Sequence, residues 1–155
     1  MEIELARKED TSKLVEYLKR NEETDYDNFI EKRISYFLEN NLIVLAKEDN
    51  KIIGQAFIQI KENPELGVAE FETVEIHENY RGKGIGTELI KKSVDYTKEY
   101  FVKKNVKPRC LYLLTRSNNL AAHKIYEKAG FKKINTIGKI FKEDEPEELV
   151  MALFI

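Results

Sequence analysis

The stretch Arg81-Gly82-Lys83-Gly84-Ile85-Gly86-Thr87 constrains this chain more than any other. It follows a strand-like run, Phe71-Glu72-Thr73-Val74-Glu75-Ile76, and opens a long amphipathic run near Gly86. Glycine permits backbone angles closed to residues with a Cβ and lets N–H groups come close to a ligand. The helix start adds unpaired N–H donors and the positive end of the helix dipole. Anionic oxygens are therefore expected over Arg81 to Thr87. The Walker pattern of Gly, four residues and Gly-Lys-Ser/Thr is missing. The dinucleotide pattern fails too, because Gly82, Gly84 and Gly86 bring the third glycine one residue early.

The rest of the chain reads as an alternation of short elements. Glu2 to Ala6 is a strand, and Asp10-Thr11-Ser12 caps a helix running to about Asn21. A second helix carries Phe29, Ile30, Ile34, Phe37 and Leu38 on one face. Ile43–Ala46 and Lys51–Lys61 form a hairpin about Asp49-Asn50, and Val68 to Ile76 feeds the glycine turn. The following helix runs to around Lys104. Cys110–Leu114 reads as a central strand covered on both faces. Ser117-Asn118-Asn119 caps a helix through Ala129, and Gly130 stands at its C′ position. Phe131–Lys142 and Leu149–Ile155 close the chain. The order β-α-α-β-β-β-α-β-α-β-β implies an α/β (α+β) fold: a mixed sheet with helices on both faces. The two strands around the glycine-turn helix should be parallel neighbours joined by a right-handed crossover. With no internal repeat or linker, residues 1–155 read as a single domain.

Two motifs carry the chemistry. Arg81, Gly84 and Gly86 meet the pattern Arg/Gln-x-x-Gly-x-Gly/Ala. Asn119, Ala122, Tyr126, Gly130 and Phe131 meet Asn-x-x-Ala-x-x-x-Tyr-x-x-x-Gly-Phe on the next strand–helix unit. Together they resemble the two motifs of the GNAT N-acetyltransferases, which bind acetyl-coenzyme A (acetyl-CoA). The resemblance implies a mostly antiparallel sheet of about seven strands whose central parallel pair splays apart. The pantetheine arm would lie in that wedge, against Thr73–Ile76 (Val74 among them) and Leu114–Arg116. Arg81, Gly82, Lys83, Gly84, Ile85, Gly86 and Thr87 would hold the pyrophosphate. Asn119 would hydrogen-bond the arm, and the Ile76 N–H would stabilise the oxyanion. Tyr126 resembles the family's general acid, which protonates the departing thiolate. Glu70 and Glu72 are the candidate bases that take the amine's proton. Another family pattern places a Glu where this chain has Leu114. Transfer would be direct, from acetyl-CoA to a primary amine in a ternary complex. The competing reading is a non-catalytic domain that binds or senses acyl-CoA.

Charge and composition narrow the partners. Twenty-eight acids against 26 bases argue against nucleic acid, which needs a clustered basic excess. One cysteine excludes an intramolecular disulfide, and Cys110 reads as a small core residue. His77 and His123 are too isolated for a metal site, so no metal is expected; His77 stays an outside candidate for the base. No run approaches the roughly 18 apolar residues of a membrane span. The amino end lacks a signal-peptide pattern, so a cytoplasmic location is expected. The segment Glu22, Glu23, Asp25, Asp27 and Glu31, interleaved with Tyr26 and Phe29, reads two ways. It is either a solvated helix start or a lip that draws a cationic small-molecule or peptide amine. The closing strands offer an edge for a homodimer.

Overall fold

The computed structural model describes residues 1–20, 27–61, 63–138 and 146–155. The strands are β1 (Glu2–Leu5), β2 (Leu42–Glu48), β3 (Lys51–Ile60), β4 (Val68–Ile76), β5 (Cys110–Arg116), β6 (Lys132–Ile137) and β7 (Glu148–Phe154). The helices are α1 (Thr11–Lys19), α2 (Asp27–Asn40), α3 (Ile85–Lys103) and α4 (Leu120–Lys128). Their order along the chain is the expected one. Element ends move by a few residues: α1 stops at Lys19, β5 runs on to Arg116 and β6 stops at Ile137. Part of the expected closing strand, from 139 to 142, lies outside the described residues, as do Glu22, Glu23, Asp25 and Tyr26 of the acidic segment.

All seven strands join one sheet in the order β1-β2-β3-β4-β5-β7-β6. Every neighbouring pair is antiparallel except β4 and β5, which run parallel across the α3 connection. One face of the sheet packs Leu89, Ile90, Val94 and Phe101 of α3 and Tyr126 of α4. The other packs Leu14, Val15 and Tyr17 of α1 and Ile30, Ile34 and Phe37 of α2. Two expectations fail here. Phe29 is 61% exposed, although Ile30, Ile34 and Phe37 on the same helix are buried. In β5 only Leu111 and Leu113 are buried, while Tyr112 and Leu114 are half-exposed. The reason is that, among the described residues, α1 and α2 pack chiefly on β2 and β3 rather than on β5. Among the described residues no helix is long and apolar enough to cross a membrane.

One irregularity positions everything that follows. Along β3, Phe57 pairs with Thr73 and the next residue, Ile58, pairs with Phe71. Glu72 is therefore an extra residue in β4, a β-bulge. A bulge shifts the side-chain alternation by one. Phe71, Val74 and Ile76 thus all pack toward α3, whereas Thr73 and Glu75 turn toward α1 and α2. The parallel pairing of β4 with β5 runs from Val68↔Cys110 to Phe71↔Leu113 and ends at the bulge. Beyond it β5 stays paired with β7 as far as Arg116↔Glu148. The two strands therefore diverge over Thr73–Ile76 and Leu114–Arg116.

The start of α1 is tied to the sheet by a buried charge cluster. Lys47 Nζ on β2 lies 2.5 Å from Asp10 Oδ1 and 2.7 Å from Glu4 Oε1. Asp10 Oδ2 also accepts the Arg7 N–H at 3.0 Å. Burial pushes the Asp10 carboxyl up, but the Lys47 hydrogen bond, the Arg7 N–H and the nearby positive charges outweigh it, so the net shift is downward. A depressed carboxyl contributes stability that is present above its unfolded value and is lost as pH falls through the folded one. Replacing Asp10 by Asn should cost about 3 kcal/mol at pH 7, because Lys47 loses a partner in a largely buried position. Urea unfolding should show that cost shrinking as pH falls below about 4, where the unfolded carboxyl protonates, until the folded carboxyl also takes up its proton. A cost that is constant with pH would mean that packing, not charge, holds this corner.

Candidate active site

A cavity of about 630 Å³ opens where β4 leaves β5. Val74, Glu75 and Ile76 of β4 form one wall. Arg81, Gly82, Gly84, Gly86 and Thr87 of the glycine turn close one end. Asn119, Ala121, Ala122, Ile125 and Tyr126 of the α4 unit form the opposite wall, and Ile90 of α3 lines it as well. The two sequence motifs, more than thirty residues apart, thus face the same space.

The hydrogen-bond register fixes which backbone groups look into it. His77 N–H donates to Ile53 O on β3 at 2.9 Å. Neighbouring residues of a strand send their N–H groups to opposite edges. Glu75 therefore bonds toward β3, and the N–H groups of Val74 and Ile76 point into the wedge, where no strand faces them. Ile76 O on the same edge accepts from Arg81 Nε at 2.9 Å, which anchors the turn to the end of β4.

The turn itself is open. Gly82 and Gly84 have φ of 77° and 83°, a left-handed backbone that L side chains rarely adopt, and a Cβ at either would meet nothing within 4 Å. Gly84 is the N-cap of α3 and has no side chain to satisfy the first-turn N–H groups. Those donors face the same open space, and an anion fits there. At Gly86 a Cβ would come within 3.6 Å of Ile76 and 3.7 Å of Ile125, so a longer side chain would crowd the wedge.

Tyr126 is 9% exposed and stacks edge-on against Phe131, with ring centroids 5.7 Å apart. Burial pushes its phenol up to about 12, so it is a proton donor throughout the neutral range. Asn119 caps α4 by accepting the Ala122 N–H at 3.2 Å and lines the cavity from that position.

Several expected site residues lie elsewhere. Ile85 is buried in the core, and Lys83 sits with its ammonium 5.1 Å from the Tyr80 ring; neither lines the cavity. Glu70 lies in the zipped part of the parallel pair. Lys61 Nζ binds it at 2.8 Å and the Tyr112 hydroxyl donates to it at 2.9 Å. Glu72, at the bulge, pairs with Arg33 at 3.4 Å. His77 Nδ1 accepts the Asn79 N–H at 3.3 Å, and the ring does not line the cavity. The residue that sequence reasoning missed is Glu75. It lines the cavity and holds Arg20 at 2.7 Å. Strict alternation could not place it on that face; only the bulge does. Among the described residues no cluster of three or more His, Cys, Asp or Glu could hold a metal ion.

Comparison with known proteins agrees with this geometry. The sequence profile described as "Acetyltransferase (GNAT) family" matches residues 4–131. An N-alpha-acetyltransferase of Sulfurisphaera tokodaii is 28% identical over 116 residues, which cover 70% of this chain and 66% of the relative. An N-acetylaspartate synthetase of Xenopus tropicalis is 30% identical over 93 residues, which cover 60% of this chain and 31% of the relative. The chain thus spans less than two thirds of the length of each of these two relatives. A GNAT-family acetyltransferase of Streptococcus pneumoniae has the same fold, with a TM-score of 0.81 at 21% identity, covering 99% of this chain and 98% of that one.

The turn geometry sets a quantitative expectation. Gly84→Ala must hold a Cβ at positive φ, at a cost of about 1 kcal/mol, and adds a methyl to the open surface. Calorimetric titration should show acetyl-CoA binding weakened about fivefold, since 1.4 kcal/mol is a factor of ten. Unchanged affinity would mean that the turn does not contact the ligand.

Proposed function

The chain belongs to the GNAT family of acetyltransferases, and from that premise we propose that it moves an acetyl group from acetyl-CoA to a primary α-amine by direct attack in a ternary complex. One observation supports this above the others: two inward N–H groups, on Val74 and Ile76, line a wedge that has an anion-binding turn at one end and a protonated phenol on its far wall. The names of the two curated relatives, which refer to an N-alpha position and to N-acetylaspartate, favour an α-amine over a side-chain amine.

In this reading acetyl-CoA is a substrate. Its pyrophosphate lies over the turn from Arg81 to Thr87, and its pantetheine amides pair with the open edge of β4. The amine nitrogen attacks the thioester carbonyl carbon, and a C–N bond forms as the carbonyl electrons move to oxygen. An inward N–H of β4 stabilises that oxyanion. Collapse breaks the C–S bond, and the thiolate takes the Tyr126 proton. The amine loses one proton to a base, and Tyr126 is reprotonated from solvent. Holding both substrates in one wedge supplies much of the acceleration.

Of the two sequence-derived bases, Glu72 is the better placed. Its side chain is 40% exposed and its pair with Arg33 is loose, whereas Glu70 is 19% exposed and clamped by two partners. Glu72 lies outside the cavity lining and reaches the amine through a water.

Thiol release from acetyl-CoA across a panel of α-amines tests the reading. Tyr126→Phe should retain acetyl-CoA affinity and lose about 10²-fold in kcat, the lower range for general acid–base catalysis. Because the phenol titrates near 12, an alkaline limb below pH 10 in the wild-type rate profile would belong to another group. Glu72→Gln should lower kcat/KM by a similar factor and Glu70→Gln by less. Acetyl-CoA binding without thiol release from any amine would leave the non-catalytic acyl-CoA domain as the reading that survives.

A further inference from the structure

The bulge in β4 does more than turn side chains. Below it, Val68 bonds toward β3, its carbonyl accepting the Lys61 N–H at 3.1 Å, so even-numbered residues face that edge. Above it His77 bonds toward β3, and the even-numbered Val74 and Ile76 face the wedge instead. Without the extra residue Glu72, alternation would turn those two N–H groups to β3 and take both side chains out of the α3 core. An extra residue has no partner in the ladder, so something outside the ladder must hold it. Arg33 of α2 is placed to do so. Its guanidinium carbon lies 4.8 Å from the ring centre of Phe57, the residue that pairs with Thr73. Its Nη2 donates to Thr73 Oγ1 at 3.1 Å and lies 3.4 Å from Glu72 Oε2. One guanidinium thus meets the extra residue, the residue after it and the β3 side chain opposite. The helix that carries it is anchored, since Ile30, Ile34 and Phe37 are buried.

We infer that Arg33 is a positioning residue for acetyl transfer: from α2 it holds the bulge that aims the Val74 and Ile76 N–H groups into the wedge. Arg33 does not line the cavity, so it acts through Glu72 and Thr73 rather than on the acyl group. A backbone donor stabilises an oxyanion when it already points where the charge will form, and it then needs no rearrangement during the reaction. Small errors in that aim are costly, because hydrogen bonds weaken steeply as their angle closes. A planar guanidinium bonds a hydroxyl and a carboxylate at once and in fixed directions, which an ammonium on a mobile stem does less rigidly. This inference rests on the transfer reading above and goes further in naming what keeps its oxyanion donors in line.

Arg33→Gln tests this through thiol release from acetyl-CoA and through the backbone amide resonances of the isotope-labelled protein. Its kcat per folded molecule should fall about tenfold, part of what losing an oxyanion donor costs. Acetyl-CoA affinity by calorimetry should change less than about twofold, since a group that acts on the transition state alone leaves ground-state binding in place. The turn that takes the pyrophosphate is anchored separately, by Arg81 on Ile76 O. Arg33→Lys should recover part of the loss. Thr73→Val, which keeps the shape and removes the hydroxyl, should lower kcat by less. The loss should persist in a Glu72→Gln background, because the backbone is what Arg33 holds. In ligand-free Arg33→Gln the Val74 and Ile76 amide signals should shift while those of β7 stay in place. Should Arg33→Gln fail to fold, Thr73→Val carries the same measurements. An unchanged kcat, or Val74 and Ile76 signals that do not move, overturns the inference, as Arg33 would then only brace the fold. A kcat loss that vanishes in the Glu72→Gln background also overturns it, since Arg33 would act through the carboxylate alone. If no amine gives thiol release from the wild type, the transfer reading falls, and the amide signals still decide whether Arg33 holds the bulge.

Discussion

The structure depends on a parallel strand pair that stops pairing halfway. β4 and β5 are joined only from Val68↔Cys110 to Phe71↔Leu113, and the extra residue Glu72 ends the ladder there. An unpaired strand edge in the middle of a sheet leaves N–H and C=O groups without partners, which a protein interior does not tolerate. Here the edge is acceptable because it faces a cavity open to ligand and solvent. The core below it is closed by Leu111, Leu113, Phe71 and Met151, all nearly inaccessible. The wedge is thus an opening in an otherwise fully paired sheet, held rigid by β3 on one side and β7 on the other.

The bulge also sorts the chemistry onto two faces. On the α3 side, Val74 and Ile76 join the apolar core and leave their backbone donors for the wedge. On the α1 and α2 side the acids of β4 each meet a cation: Glu70 meets Lys61, Glu72 meets Arg33 and Glu75 meets Arg20. Partly buried carboxylates need such partners, because desolvation without pairing would favour their neutral form. This strip of paired charge gives that face of β4 a polar floor of little net charge. Arg81, whose guanidinium spends only one N–H, then has more weight than its exposed position suggests.

Much of this was legible in the sequence, and for identifiable reasons. The glycine turn and the Asn119–Phe131 segment are local signals, because positive φ, a helix N-cap and a C′ glycine are needed whatever surrounds them. Gly82, Gly84 and Gly130 do adopt positive φ, and Asn119 does cap its helix. The bounds of β4 and the order of all eleven elements follow from equally local patterns. What failed was inference across elements. Strict alternation along β4 would put Glu70, Glu72, Val74 and Ile76 on one face, but a single extra residue turns Val74 and Ile76 to the other. The covering of β5 was misread because Tyr112 and Leu114 are apolar enough for a buried strand, although both stay partly exposed.

The sequence by itself determined the turn, the caps and the element order, because these are settled by backbone angles and spacing within a few residues. Only the tertiary structure decided which carboxylate lines the wedge and which cations hold the acids of β4. Those outcomes depend on a register between β3 and β4 and on where α1 ends against the sheet. Pairing free energy is spread over whole strands, so no short stretch of sequence carries it.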